Sequence, residues 1–460
     1  MLNFRHLHFI GVCGTAMGSV AAALKERGFV VTGSDDKIYP PMSTFLAGRG
    51  VVIRDGYRPE NIPADADLIV VGNAISRGNT EVEAVLNRKL TYLSLPETLK
   101  LFFLRGRHNL VVTGTHGKTT TTSLLTWILR EAGLDPAYLI GGIPNNLGQG
   151  CSLHESKFTV IEGDEYDTAF FDKRSKFLHY LPELVIVNNV EFDHADIFDD
   201  LDAIKLSFRR LLNVVPGEGM VLINGDDPNC IDVARDCRAQ LVEVGFSPNA
   251  ARHIRDVRYH ADGTEFTLLD HKFRSPLNGE YNVRNCAMAI SAAHFYGVPL
   301  DVIARAIASF TGIKRRQEIR GTVRGITVID DFGHHPTAIR ETLRGLRQQY
   351  AGRRLWALFE PRSNTTRRAV FQHDLPKALA EADGVILSQV ARMDQLKPED
   401  RLDPERVVAD IAATGRPAFY EPGVDAIVAR IKPLVREGDV IVILSNGGFG
   451  GIHERLLHEL

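Results

Sequence analysis

Short apolar runs and helix-period patterns alternate along most of this chain. His8-Phe9-Ile10 leads into a glycine turn, and Met17-Gly18-Ser19-Val20-Ala21-Ala22-Ala23-Leu24 follows with helical spacing. Residues 30–35 and 67–72 read as further strands. The same kind of run recurs at 110–113, 158–161 and 184–187, and again at 325–329, 355–359, 384–387 and 440–444. Continuous apolar runs of this length, bounded by turn residues, suit strands buried on both faces. Their alternation with helical segments, such as the alanine-rich stretch 281–296, predicts parallel sheets covered by helices.

A chain of 460 residues is long for one core and suggests about three domains. The predicted boundaries are 1–106, 107–313 and 314–460, with the basic stretch 312–320 read as a linker or hinge. The fold class is α/β: Rossmann-like first and third domains flank a central P-loop ATPase-like domain.

Charge and composition narrow the function classes. With 44% hydrophobic and 24% charged residues and a net charge of -3, the chain carries no global field for nucleic acid. Arg5 precedes an apolar stretch, but Gly11, Gly14 and Gly18 interrupt it and no small-residue cleavage pattern closes it. No uninterrupted apolar run approaches the ~20 residues that cross a bilayer. The five cysteines show no C-x-x-C pair, so reduced thiols and a soluble cytoplasmic protein are expected.

The strongest motif is Thr113-Gly114-Thr115-His116-Gly117-Lys118-Thr119-Thr120, between a predicted strand and helix. Glycines let backbone N–H groups converge on phosphate oxygens at a helix N-terminus. Lys118 would reach the terminal phosphates and Thr119 would ligate Mg²⁺. Val112 stands where the general P-loop pattern has its first glycine. An ATP-type ligand is the inference. Two acidic clusters follow strands: Glu162-Gly163-Asp164-Glu165-Tyr166-Asp167, and Glu191-Phe192-Asp193-His194-Ala195-Asp196. Crowded carboxylates call for a cation among them, which makes Glu162 a candidate Mg²⁺ ligand and His194 a second metal or phosphoryl ligand. In the first domain the turn Gly11-x-x-Gly14-x-x-x-Gly18 lacks the dinucleotide fingerprint. Asp35, about 20 residues on, could still meet a ribose.

Together these motifs resemble the Mur ligase family, over essentially the whole chain. The resemblance rests on the phosphate loop, on Glu162 to Asp167, on Asn189 to Phe198 and on Ser445-Asn446-Gly447-Gly448-Phe449-Gly450-Gly451. It implies a first domain that binds a UDP-sugar, a central domain that binds ATP, and a third that closes over both. It implies Lys118, Glu162 and His194 as catalytic residues, with Thr119, Glu162 and His194 on magnesium. Residues 114–120, Asn285, Arg316 and Asp331 would contact ATP. Gly14, Thr15, Ser34 and Asp35 fall where the sugar nucleotide is held, and His335, Arg362 and Asn446 are assigned to substrate. His194, His334 and His335 are all candidates for the base that takes the amine's proton. Where several relatives carry a carbamylated lysine, Phe208 stands here.

The Tyr166 version of the acidic run is similar to the family branch that recycles murein peptides. That branch implies ligation of L-Ala-γ-D-Glu-meso-diaminopimelate to UDP-N-acetylmuramate through an acyl phosphate. A sibling ligase adding L-alanine to the same sugar nucleotide stays open, and a nicotinamide dehydrogenase is a remote alternative.

Overall fold

His6–Ile10 is buried along its whole length because it is the middle strand of a parallel sheet. Across that sheet the order is Val52–Asp55, Val30–Asp35, His6–Ile10, Leu68–Val71, Tyr92–Ser94. The connections leave the middle strand in opposite directions, so a crevice opens at its carboxyl end. Gly11 and Val12 turn into that crevice, donating their N–H groups to the Ser34 carbonyl at 2.9 and 3.1 Å. The helix Thr15–Glu26 follows and buries Met17, Val20 and Leu24.

The computed structural model describes residues 4–460. A second parallel core runs Gln240–Gly245, Met220–Asn224, Leu184–Val187, His108–Thr113, Phe158–Glu162, Ala137–Leu139, with the antiparallel strand Cys151–Ser152 at its edge. Its central strands carry unbroken apolar runs, as expected for strands covered on both faces. The last sheet runs Glu318–Val323, Ile326–Asp331, Val440–Leu444, Leu355–Phe359, Gly384–Ser388, Ala418–Glu421, parallel except for its first pair. Apolar cores cover both its faces: Leu343, Leu375 and Ile411 on one, Ile427, Ile452 and Leu456 on the other.

Two local features depart from the sequence reading. The end of the stretch expected as a linker, from Glu318 on, is strand, since residues 318–323 pair antiparallel with 326–331. Its charged residues face outward on a sheet edge, so no apolar run marks it. An antiparallel meander, Arg255–His260, Gly263–Leu268 and His271–Ser275, was not predicted either.

Packing groups the chain into two units. The first takes the chain up to Gly141 with Gln149–Val190 and Asp202–Glu243; the second takes Gly142–Gly148, Glu191–Leu201 and Val244–Leu460. Within the first unit, a hairpin of Asp167–Ala169 and Asp172–Ser175 carries Phe170 and Phe171 at its tip. Both rings pack against the first sheet's core of Ile10, Ile69 and Val85, with Phe171 edge-on to Tyr92 at 4.9 Å. Arg27 adds a second tie. Its guanidinium lies 4.1 Å over Phe103, donates to the Phe102 carbonyl and pairs with Glu155 at 2.9 Å.

Candidate active site

The phosphate loop takes its shape from the strand His108–Thr113 and the helix Lys118–Glu131. That helix opens with four threonines, a poor helix-forming run because β-branched side chains lose rotamer freedom. Its buried hydroxyls are satisfied locally: Thr122 donates to the Lys118 carbonyl at 2.8 Å, and Ser123 to that of Thr119 at 2.6 Å. The N-cap is Gly117 in the left-handed region, which makes no side-chain cap, and a helix N-terminus of this kind suits an anion. Gly114 has φ of 126°, and a Cβ there would lie 3.0 Å from both Asn188 Cβ and the Asn189 nitrogen. Only glycine fits that approach.

Asn189 braces the loop. Its carbonyl accepts from Thr115 N at 3.2 Å, its side-chain oxygen accepts from His116 N at 2.7 Å, and its amide donates to the His116 carbonyl at 3.2 Å. Sequence reading noticed Asn189 only as part of a cluster. Its place directly after a central strand, beside the loop strand, was the available signal.

Lys118 and Glu162 lie close enough to interact electrostatically, and Glu165 joins them. Lys118 Nζ lies 2.7 Å from the Gly114 carbonyl and 3.0 Å from Glu165, which is 2% exposed. Burial alone would lower the lysine's pKa, but Glu165, Asp164 and Glu162 outweigh it and hold it raised. Thr119 donates to Glu162 at 2.9 Å, and the other Glu162 oxygen accepts from Gly141 N at 2.7 Å. Burial first, and Asp164 second, push the Glu162 carboxyl up despite Lys118. A hydroxyl and a carboxylate oxygen side by side, in a pocket with excess negative charge, are a donor set suited to Mg²⁺. Tyr166 stacks under Lys176, whose ammonium lies 3.9 Å from the ring centroid and 3.4 Å from Asp164. Phe208 is fully buried against Phe177.

In the first domain, Gly14 and Thr15 stand at the start of the helix at the crevice. Asp35 accepts from Cys13 N at 2.8 Å. Ser34 is fully buried with its hydroxyl on Glu81. Glu81 also accepts from Asn61 at 2.9 Å and Arg58 N at 3.0 Å.

The remaining expected residues lie in the second unit. Asn285 is buried on the helix Glu280–Phe295 beside Asn282. Asp331, at the end of its strand, accepts from Gln317 N at 2.8 Å and Gly333 N at 2.7 Å. Burial raises its pKa, opposed mainly by Arg316. Arg316 stacks over Phe332 at 4.8 Å. Arg362 reaches Glu360 at 3.5 Å and lies against Gly447; Ser445 donates to the same Glu360 at 2.5 Å. Asn446 sits between them in sequence, in a loop whose Ser445 and Gly447 carbonyls accept from Arg315 at 2.8 and 2.6 Å. Arg315 was not singled out by the sequence reading. His335 caps the helix Pro336–Gln349, accepting from Thr337 N at 3.2 Å, and donates from its other nitrogen to the Phe192 carbonyl at 3.1 Å. Those bonds occupy both ring nitrogens, which is the geometry of a support and not of a free base. His194 has φ of 55° and donates its N–H to Asp193 at 2.7 Å.

Comparison with known proteins agrees with this architecture. Residues 6–107 match the family described as Mur ligase family, catalytic domain; 112–293 match Mur ligase middle domain; 315–447 match Mur ligase, glutamate ligase domain. The chain is 43% identical over 461 residues to the UDP-N-acetylmuramate–L-alanyl-γ-D-glutamyl-meso-2,6-diaminoheptandioate ligase of Escherichia coli strain K12, covering 99% of this chain and 98% of that protein. It is 33% identical over 467 residues to the UDP-N-acetylmuramate–L-alanine ligase of a Psychrobacter species, covering 99% and 95%. The crystal structure of a murein peptide ligase from Psychrobacter arcticus aligns with a TM-score of 0.72 at 36% identity, over 99% of this chain and 98% of that one. The chain belongs to the Mur ligase family.

Proposed function

We propose that this protein is an ATP-dependent ligase that joins L-Ala-γ-D-Glu-meso-diaminopimelate to the lactyl carboxylate of UDP-N-acetylmuramate. The observation that carries the substrate is full-length identity: 43% to a ligase named for the tripeptide, against 33% to one named for L-alanine. Substrates of this kind, a nucleotide sugar and ATP, put the reaction in the cytoplasm. Among the described residues no helix is long and apolar enough to cross a membrane.

A carboxylate is a poor electrophile, so it is first phosphorylated. Its oxygen attacks the γ-phosphorus of ATP, the bond to the β-phosphate oxygen breaks, and ADP leaves. The peptide's neutral amine then attacks the acyl carbon, loses a proton, and inorganic phosphate departs. The first step brings two anions together. Lys118 faces that charge from a buried position, and the N–H groups of residues 114–120 hold the phosphates in place. Thr119 and Glu162 would hold Mg²⁺ on the nucleotide side, with His194 on a second ion; Mg²⁺ supplies charge neutralisation at the transferring phosphoryl group. Asn285, Arg316 and Asp331 would contact ATP, Gly14, Thr15 and Asp35 the sugar nucleotide, and Arg362 and Asn446 the peptide carboxylates.

The test is Mg²⁺-dependent phosphate release from ATP with UDP-N-acetylmuramate, comparing the tripeptide with L-alanine. Turnover with the tripeptide alone is expected. Turnover with L-alanine alone would transfer the protein to the sibling activity, and silence with both would remove the sugar-nucleotide assignment.

A further inference from the structure

The loop that carries His194 is anchored at its start in the first unit. Val190 N donates to Asp227 at 3.0 Å, and the Val190 carbonyl accepts from Asn229 at 2.8 Å. From Glu191 onward it belongs to the second unit, where third-domain side chains hold it. His335 donates to the Phe192 carbonyl, and its ring stands edge-on to Phe371 at 4.7 Å. Thr365, 1% exposed, donates its hydroxyl to Asp193 Oδ1 at 2.6 Å and accepts from Ala195 N at 3.4 Å. Asn364 donates to Asp196 at 2.8 Å.

These bonds converge on one backbone residue. Asp193 Oδ1, which takes the Thr365 hydroxyl, is the same oxygen that takes the His194 N–H. His194 is in the left-handed region, a strained conformation for a non-glycine residue that persists only where surroundings over-determine it. The direction of its Cα–Cβ bond, and so the reach of the imidazole, is set by that conformation. Thr365 is itself fixed, because Ser363 and Thr366 exchange side-chain and backbone hydrogen bonds around it at 2.7–3.1 Å.

We propose that Thr365, assisted by Asn364 and His335, is a positioning residue that sets His194 for metal ligation, so that the third domain governs a ligand borne by the central one. The proposal rests on the reading of His194 as a metal ligand. On this proposal the imidazole is aimed only when the third domain's loop is seated on Asp193.

The experiment uses the full-length protein with a non-hydrolysable ATP analogue. Mn²⁺ binding is followed by electron paramagnetic resonance, and amide hydrogen exchange is followed over residues 191–198. Thr365→Val keeps the side chain's shape and removes its hydroxyl. It is expected to weaken Mn²⁺ binding about 10–100-fold, the range for losing a group that orients a ligand, and to speed exchange at His194 and Ala195. Thr365→Ser is expected to restore both. His194→Ala tests the underlying assignment, and adding Thr365→Val to it should change Mn²⁺ affinity no further. If His194→Ala weakens binding while Thr365→Val does not, the ligand stands and the positioning role falls. If His194→Ala leaves Mn²⁺ affinity unchanged, the ligand assignment fails and takes the proposal with it.

Discussion

Lys118 rests on Glu165, nitrogen to oxygen 3.0 Å apart, with the carboxylate almost wholly out of solvent. The phosphate-loop lysine is therefore held in place by a counter-charge before any phosphate arrives. Two effects of Lys118→Ala follow and can be separated. Loss of one preorganised cation should lower kcat about 10²–10³-fold. Taking the cation away from the buried Glu165 carboxylate should cost about 3–5 kcal/mol of stability. Lys118→Ala combined with Glu165→Gln should recover much of the unfolding midpoint and none of kcat. Denaturant unfolding beside steady-state kinetics distinguishes the two, and equal recovery of both would contradict the account.

Asn189→Ala removes the two side-chain bonds to His116 while sparing the backbone bond to Thr115. The loop should loosen without collapsing. An increase of about tenfold in KM for ATP is expected, with KM for the sugar nucleotide unchanged. A rise in both constants would point to a wider disturbance.

Gly447 lies against Arg362, where a Cβ would come within 2.4 Å of the Arg362 Cδ and Nε. Gly447→Ala should therefore push the guanidinium aside. If Arg362 takes a peptide carboxylate, KM for the tripeptide rises and KM for ATP does not. A variant with unaltered peptide KM would remove Arg362 from the recognition set.

Acid stability should fall in two windows. Burial first, resisted by Asp172, lowers the pKa of His179 from its ordinary 6.5. The folded state therefore prefers the neutral ring, and its stabilisation is present above pH 6.5 and lost as pH falls below that value. Asp172 is held at about 2, chiefly by the Arg174 guanidinium, against an ordinary 3.8. Its contribution is present above pH 3.8 and lost between 3.8 and 2. His179→Gln should flatten the upper window alone, as read from unfolding midpoints across pH.

The parallel sheets were legible because their strands are buried on both faces and show as apolar runs such as Leu110-Val111-Val112 and the 440–444 stretch. The phosphate loop was legible because glycine, lysine and threonine serve local backbone geometry. What sequence missed depends on distance in the chain. Glu165 meets a lysine 47 residues earlier, and Asn189 braces a histidine 73 residues earlier. Edge strands such as 318–323 and 255–260 break single apolar residues apart with charged or polar ones, so no apolar run distinguishes them from a linker. Ser34 and His335 entered through the family resemblance, and their hydrogen bonds to Glu81 and to the Phe192 carbonyl are again contacts between residues distant in the chain.

The Phe170–Phe171 hairpin has a consequence for anyone recombining these enzymes. Its two rings belong by chain to the ATP-binding segment and by packing to the first sheet. A chimaera cut at residue 106 would carry one parent's plug into the other parent's socket. Grafts that exchange the first domain should therefore move residues 167–175 with it, and a first domain expressed alone would lose the ring that covers Tyr92.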